Sequence, residues 1–328
     1  MKAFNAERVL NSQLKYIFGL FCFVAIIFFI RSSNPSTVIN LHPWLAGIIS
    51  TTLELDFACI VAIRLLFIIG STVLLWLISV KKLDMPGKNY FLFLTHLLVH
   101  FSIIDWSFGL VVSIYWTVFL FILFQLMPTE SSTHILRKTF TAAILSGIIM
   151  LNGAFAVLFF FVGIIAMIVS HEISFRRVVV WTTGFLLPFL YLLFWYFMTD
   201  KLNIIFVNLD ALVLEEEMFK FSFPLNFTVS LAILFLLALI AHSRMSESKI
   251  SIRRNYTIIL FSLITLAPAI ITSVFNIYIL FSLYGLATIL YWLRLIYNTR
   301  KRFYFFILLL MPLVIPVLFN FLINYQIN

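Results

Sequence analysis

The sequence predicts an all-α fold, a polytopic bundle of about 11 helices that cross a membrane. Of its 328 residues, 63% are hydrophobic and the mean hydropathy is +1.11, whereas soluble domains are about 45–50% apolar. Apolar runs of about 20 residues recur along the chain, long enough to cross a hydrocarbon core of about 30 Å. A membrane β-barrel would show shorter segments of strictly alternating polarity, and this sequence has none.

Eleven apolar segments can be separated along the chain. Three long runs are divided, because residues 89–127, 138–170 and 256–293 would each form a helix of roughly 50–58 Å, too long for one crossing. Polar residues break these runs near their middles, as Asp105 does in the first and Asn152 in the second. The predicted spans are 14–30, 57–80, 89–104, 107–127, 138–151, 153–170, 177–198, 224–242, 256–273, 275–293 and 303–323.

The distribution of charge predicts the orientation of these spans. With the amino terminus inside the cell and the carboxyl terminus outside, 18 of the 22 Lys and Arg residues fall on the inner side. This is the asymmetry that the positive-inside rule describes. It also accounts for the net charge of +9 without nucleic acid, because the basic residues lie in short loops between spans. We therefore predict a multi-pass protein of the cytoplasmic (inner) membrane.

No polar stretch is long enough to separate a second domain, so residues 1–328 are predicted to form one integral membrane domain. Its longest polar segments are the outer loops 31–56 and 199–223, the second of which is acidic. A part with four spans, 224–323, follows. Within the first loop, residues 38–50 are too few to span and are expected to lie along the outer membrane face.

Charged residues near the outer end of the second span are the main candidates for chemistry. Glu54 and Asp56 precede this span, Arg64 lies about 12 Å deeper by helical rise, and Asp105 lies in the next outer turn. Each acid alone also fits a helix cap, a turn or a solvated position, and Arg64 also fits a side chain that reaches outward to lipid. A charge within a span is nevertheless a candidate functional group, because it is costly in hydrocarbon. Asp105 is the predicted partner of Arg64.

The third span contains His96 and His100, four residues apart and therefore on one helical face. This spacing suits a pair of metal ligands to which Asp105 would add a carboxylate, so a divalent cation is a candidate cofactor. Histidines that form hydrogen bonds between packed helices are the alternative. The lack of a glutamate between the two histidines favours that alternative over a zinc-protease motif.

The layout of residues 14–198 resembles the membrane glycosyltransferases of the GT-C type. The resemblance is carried by Glu54 and Asp56 in the first outer loop, by Asp105 in the next, and by the paired short spans, basic loop and Pro-containing span of residues 145–197. It implies a glycosyltransferase that uses a polyprenyl-phosphate-linked sugar. In that role Asp56 or Glu54 would be the general base, Asp105 would hold a cation or the acceptor, and Arg64 would stabilise the leaving phosphate.

Two other functions stay open. One is a non-catalytic membrane subunit that scaffolds a cell-envelope complex with membrane-protein partners, which the short loops and the small number of polar groups in the spans favour. The other is a transporter, which would usually place several ionisable groups near the membrane midplane. The chain as a whole also resembles uncharacterised polytopic membrane proteins of Bacteroidota, and that resemblance implies no particular activity.

Overall fold

The fold is given by a computed structural model. It describes residues 38–40, 52–54, 57–85, 96, 106–128, 134–151, 157–203 and 249–272, together with the positions 236, 239, 240, 242 and 243.

This described part consists of six helices and a short antiparallel ribbon. Strands β1 (Val38–Asn40) and β2 (Thr52–Glu54) pair so that Val38 lies opposite Glu54. The helices are α1 (Phe57–Lys81), α2 (Trp106–Leu126), α3 (Ile135–Met150), α4 (Val157–Val169), α5 (Phe175–Met198) and α6 (Ile250–Thr272).

The predicted helical class is confirmed for the described residues, and one short ribbon accompanies the helices. The ribbon pairs the residues on either side of 41–51. Val38, Ile39 and Thr52 are β-branched and favour extended backbone. Strand β2 ends at Glu54, three residues before α1 begins at Phe57.

Two of the described helices are long and apolar enough to cross a membrane. They cover Cys59–Lys81 in α1 and Phe175–Met198 in α5. Their outward faces are apolar: Leu66 and Ile69 of α1 are 66% and 64% exposed, and Phe194 of α5 is 61% exposed. A large exposed apolar surface is unfavourable in water and favourable against lipid. The count of about 11 spans extends beyond the described residues.

The division of the predicted run 138–170 agrees with the structure. Helix α3 ends at Met150 and α4 begins at Val157. At the end of α3, the amide of Leu151 donates to the carbonyl oxygens of Gly147 and Ile148 at 3.3 and 3.2 Å. The two short helices are therefore separate elements, as their combined length required.

Small residues let α3, α4 and α5 pack closely. Gly147 of α3 lies directly against the backbone carbonyl of Phe185 in α5, and Gly184 of α5 lies against Ala143 of α3. The ring of Trp181 covers Gly163 of α4, and its Nε1 donates to the Phe160 carbonyl oxygen at 3.2 Å. Close approach of backbones through small residues is the usual basis of helix packing in membranes.

Candidate functional site

One face of α1 is buried and carries polar groups at helical spacing. The buried positions recur every three or four residues, so they form a single stripe along the helix. The opposite face, with Leu66 and Ile69, is exposed. The stripe consists of Arg64, Ile68, Ser71, Leu75, Ile78 and Lys82.

Arg64 is the charged residue at the amino-terminal end of this stripe. It has 0% exposed surface, so its guanidinium lies inside the protein and does not reach the lipid surface. Arg64 is seven residues from the start of α1, about 10 Å along the helix axis. A cation enclosed at this depth requires nearby anions or hydrogen-bond acceptors.

The predicted acidic partners of Arg64 are described only in part. Glu54 ends β2, three residues before α1 begins, and its backbone is therefore placed close to the start of the helix. Asp56, Asp105 and the side chain of Glu54 lie outside the described residues. The pairing of Arg64 with Asp105 stays a prediction.

His96 lies between packed helices, next to the buried stripe. Its Nε2 is 2.8 Å from Ser71 Oγ, and Ser71 Oγ donates to the Ile68 carbonyl oxygen at 2.9 Å. Because a serine hydroxyl has one hydrogen, this arrangement makes His96 Nε2 the donor to Ser71. The His96 ring also packs against Trp116, with centroids 5.1 Å apart at 34°.

This geometry matches the alternative in which histidine joins helices through hydrogen bonds. Among the residues that the structure describes, no group of three or more His, Cys, Asp or Glu side chains could hold a metal ion. His100 and Asp105, the other members of the predicted metal site, lie outside these residues. The divalent cation at His96, His100 and Asp105 stays a prediction.

A second polar centre lies at the other end of α1, around Lys82. Lys82 Nζ donates to the carbonyl oxygens of Met127 and Pro128 at 2.5 and 3.3 Å, just after α2. The same ammonium lies 5.2 Å from the ring centroid of Phe124. The Lys82 carbonyl oxygen accepts a hydrogen bond from Asn255 Nδ2 of α6 at 2.7 Å. One residue thus joins the ends of three helices.

The burial of Lys82 makes its charge less favourable. Desolvation lowers the pKa of Lys82 from its ordinary value to about 8; nearby Lys138 lowers this pKa further, and Glu172 partly opposes the shift. The amine remains mostly protonated at pH 7, because its pKa is still above that pH.

Arg177 completes this group of charges. Its Nη1 donates to Glu172 Oε2 at 2.5 Å and its Nε donates to Thr139 Oγ1 at 2.9 Å. Arg177 is only 4% exposed, and its amide donates to Ser174 Oγ, the cap of α5, at 3.2 Å. We call Lys82, Lys138, Glu172 and Arg177 the Lys82 cluster.

The contacts of the Lys82 cluster bring six helix ends together. Helices α1, α2 and α4 end here, and α3, α5 and α6 begin here. Helices α1, α2 and α4 therefore run toward the cluster, and α3, α5 and α6 run away from it. Lys82 is 18 residues from Arg64, which places the two centres about 27 Å apart along α1.

The sequence pattern indicates functional roles for Arg64 and His96 but not for Ser71, Lys82 or Arg177. The spacing of Arg64, Ser71 and Lys82 on one face of a predicted helix was the available indication, because polar residues within a span usually face its interior. The partners of Arg177 come from another helix and could not be found by spacing along the chain.

The described residues define a helical protein in which two helices are long and apolar enough to cross a membrane. Comparison with protein-family models, curated proteins and solved structures finds no match to the chain.

Proposed function

We propose that the chain is a GT-C-like protein of the inner membrane that handles a polyprenyl-phosphate-linked sugar at the outer face. The observation that carries this proposal is the complete burial of Arg64 on a helix able to span the membrane. A guanidinium is planar, always charged and able to form paired hydrogen bonds with phosphate. Enclosure strengthens such a contact, since fewer water molecules compete for it.

In the proposed reaction, Asp56 or Glu54 removes the proton from an acceptor hydroxyl. The acceptor oxygen then bonds to the sugar carbon, and the bond from that carbon to the phosphate oxygen breaks. The polyprenyl phosphate leaves with the electron pair, and Arg64 stabilises its negative charge. Asp105 holds a divalent cation or the acceptor. Glu54 supports this assignment by its position, because β2 places its backbone three residues before α1.

The proposed topology puts these residues on one side of the membrane, with about 11 spans, the amino terminus inside and the carboxyl terminus outside. Its support is the charge distribution, together with the directions of the described helices, because α1, α2 and α4 run toward the Lys82 cluster and α3, α5 and α6 run away from it. Cysteines introduced at Ser36 and Ser222 should react with an impermeant reagent in intact cells, and a cysteine at Ser248 only after permeabilisation. Labelling of Ser248→Cys in intact cells would overturn the topology and the outer-face site.

Replacing Arg64 with glutamine should reduce bound polyprenyl phosphate at least tenfold. A charge-assisted hydrogen bond contributes about 1.5–3 kcal/mol, and about 1.4 kcal/mol corresponds to a tenfold change in affinity. The measurement is native mass spectrometry of protein purified in mild detergent. Lys201→Gln is the matched control, because Lys201 is an exposed cation on the same proposed side.

Equal loss of lipid in Arg64→Gln and Lys201→Gln would contradict a specific role for Arg64. Catalysis has a separate test: Asp56→Asn and Asp105→Asn should abolish a surface-glycan phenotype while the lipid stays bound. An unchanged phenotype would contradict the proposed glycosyltransferase activity. A stoichiometric protein partner in place of bound lipid would favour the scaffold function instead.

A further inference from the structure

The burial of Arg64 depends on the rotation of α1 about its own axis. Arg64 is 0% exposed, whereas the next two residues of the helix, Leu65 and Leu66, are 36% and 66% exposed. One residue corresponds to a rotation of about 100° around a helix axis. A turn of α1 by one or two positions would therefore carry the guanidinium from the interior of the protein to its surface.

The apolar residues of α1 do little to fix this rotation. Lipid chains are as apolar as the interior of a membrane protein, so burying Ile68 or Leu75 in place of an exposed leucine gains little. The charge of Arg64 opposes the enclosed position, because a guanidinium is more favourable near water and headgroups than between helices. Polar contacts between helices are therefore the groups to examine for what holds α1 in place.

Helix α2 makes one such contact three residues beyond Arg64. Thr117 Oγ1 donates to the Phe67 carbonyl oxygen at 2.9 Å, and it shares its hydrogen with the Ser113 carbonyl oxygen of its own helix at 2.8 Å. A Cβ at Gly70 would lie 3.6 Å from Thr117 Cγ2, so the two helices are adjacent at this level. Because the acceptor belongs to the backbone of α1, this contact fixes the helix about 4.5 Å along its axis from Arg64.

His96 makes the second contact, seven residues beyond Arg64. Its Nε2 donates to Ser71 Oγ at 2.8 Å, and its ring packs against Trp116 of α2. The side chains of His96, Ser71 and Trp116 are all fully buried. Seven residues are close to two helical turns, so Ser71 lies on the same face of α1 as Arg64. His96 thus joins the face that carries Arg64 to α2.

We propose that Thr117 and His96 are positioning residues for Arg64, which hold α1 in the rotation that encloses its guanidinium. Both act through contacts with α1 at Phe67 and Ser71. Their part in substrate binding rests on the proposed function, in which Arg64 stabilises the phosphate of a polyprenyl-phosphate-linked sugar. The enclosure of Arg64 itself is measurable without that lipid.

The test is the rate at which phenylglyoxal, an arginine-specific reagent, modifies Arg64 in protein purified in mild detergent, followed by mass spectrometry of its peptides. A buried group reacts in proportion to the fraction of molecules in which it is open. Thr117→Val and His96→Leu each remove the donor and keep a side chain of similar size. Each should raise the rate at Arg64 about fivefold, the change that corresponds to one net hydrogen bond. Thr117→Ser and His96→Gln keep a donor and should preserve the protection of Arg64.

Arg177 is the internal control in the same samples, because it is buried at the other end of the bundle and should stay protected. Ser146→Ala is the matched control variant. Ser146 is also fully buried, but its hydroxyl donates within its own helix, to the Ala142 carbonyl oxygen at 2.9 Å. This variant should leave Arg64 protected. Unchanged protection of Arg64 in Thr117→Val and His96→Leu would overturn the positioning role, and so would an equal increase at Arg177, which would show a general loosening of the fold.

Bound polyprenyl phosphate, measured by native mass spectrometry of the same variants, separates this inference from the proposed function. Variants that expose Arg64 should lose the lipid as Arg64→Gln does. Exposure of Arg64 with the lipid retained would contradict the proposed function and leave the positioning role intact. Loss of the lipid with Arg64 still protected would overturn the positioning role.

Discussion

Replacing Gly147 with alanine should destabilise the protein by roughly 1–3 kcal/mol, the usual cost of overpacking a close contact. A Cβ at this position would overlap the backbone carbonyl oxygen of Phe185 and would also meet Pro188 Cδ at 3.1 Å. Neither group can rotate away, because one is helix backbone and the other is part of a proline ring. Helices α3 and α5 would therefore have to separate. The melting temperature of purified protein in a single detergent measures the effect.

Gly70→Ala is the matched control for this substitution. Gly70 also lies within a helix, but the nearest atom to a Cβ there is Thr117 Cγ2 at 3.6 Å, an ordinary contact. Alanine is favoured over glycine in a helix by about 0.5–1 kcal/mol, so Gly70→Ala should leave stability unchanged or increase it slightly. A similar loss in both variants would show that close packing of α3 on α5 is not the cause.

Replacing Arg177 with methionine should cost about 2–4 kcal/mol of stability, somewhat less than the loss expected for breaking a fully buried ion pair. The substitution removes the hydrogen bonds to Glu172 Oε2 and Thr139 Oγ1. It leaves a carboxylate that is only 26% exposed without its closest cation. Methionine occupies a similar volume, so the loss of charge and hydrogen bonding dominates the effect. Thermal or denaturant unfolding in detergent provides the measurement.

Arg176→Met separates this effect from a general loss of basic charge. Arg176 is the neighbouring residue in α5 and is exposed, and exposed charges usually contribute less than about 1 kcal/mol. The two variants have the same net charge and the same new side chain. If the two variants melt at the same temperature, the buried contacts of Arg177 contribute little to stability. That result would contradict the prediction.

The apolar pattern predicts where the described helices lie, but it predicts their first residues less well. The predicted span 57–80 matches α1, which ends at Lys81. The predicted spans 138–151 and 256–273 begin later than α3 and α6, which start at Ile135 and Ile250. The pattern marks the residues that lie in hydrocarbon, whereas a helix continues wherever its backbone hydrogen bonds do. The basic residues at these starts therefore belong to the helices, although they lie outside the apolar segments.

The candidate site could be predicted only in part, for a similar reason. Sequence alone singled out Arg64, because a charge in an apolar run is conspicuous. It could not show that Arg64 is enclosed, since enclosure depends on which helices surround α1. Ser71 and Lys82 were overlooked because serine is common in spans and lysine is common at their ends. Ser71 contacts His96, and Lys82 contacts Met127. These partners are distant in sequence, and only the packing of the helices brings them together.

The hydrogen bond from Asn255 to the Lys82 carbonyl has a consequence for synthesis of the chain. Its two residues are 173 positions apart. At about 5–20 residues per second, the ribosome completes Asn255 roughly 10–35 s after Lys82. During that interval α1 and α2 can already be joined through Lys82 Nζ, while the Lys82 carbonyl oxygen has yet to meet its partner on α6. Packing of α6 against the end of α1 is thus a late step, which completes the contacts of Lys82 after those with α2 can form.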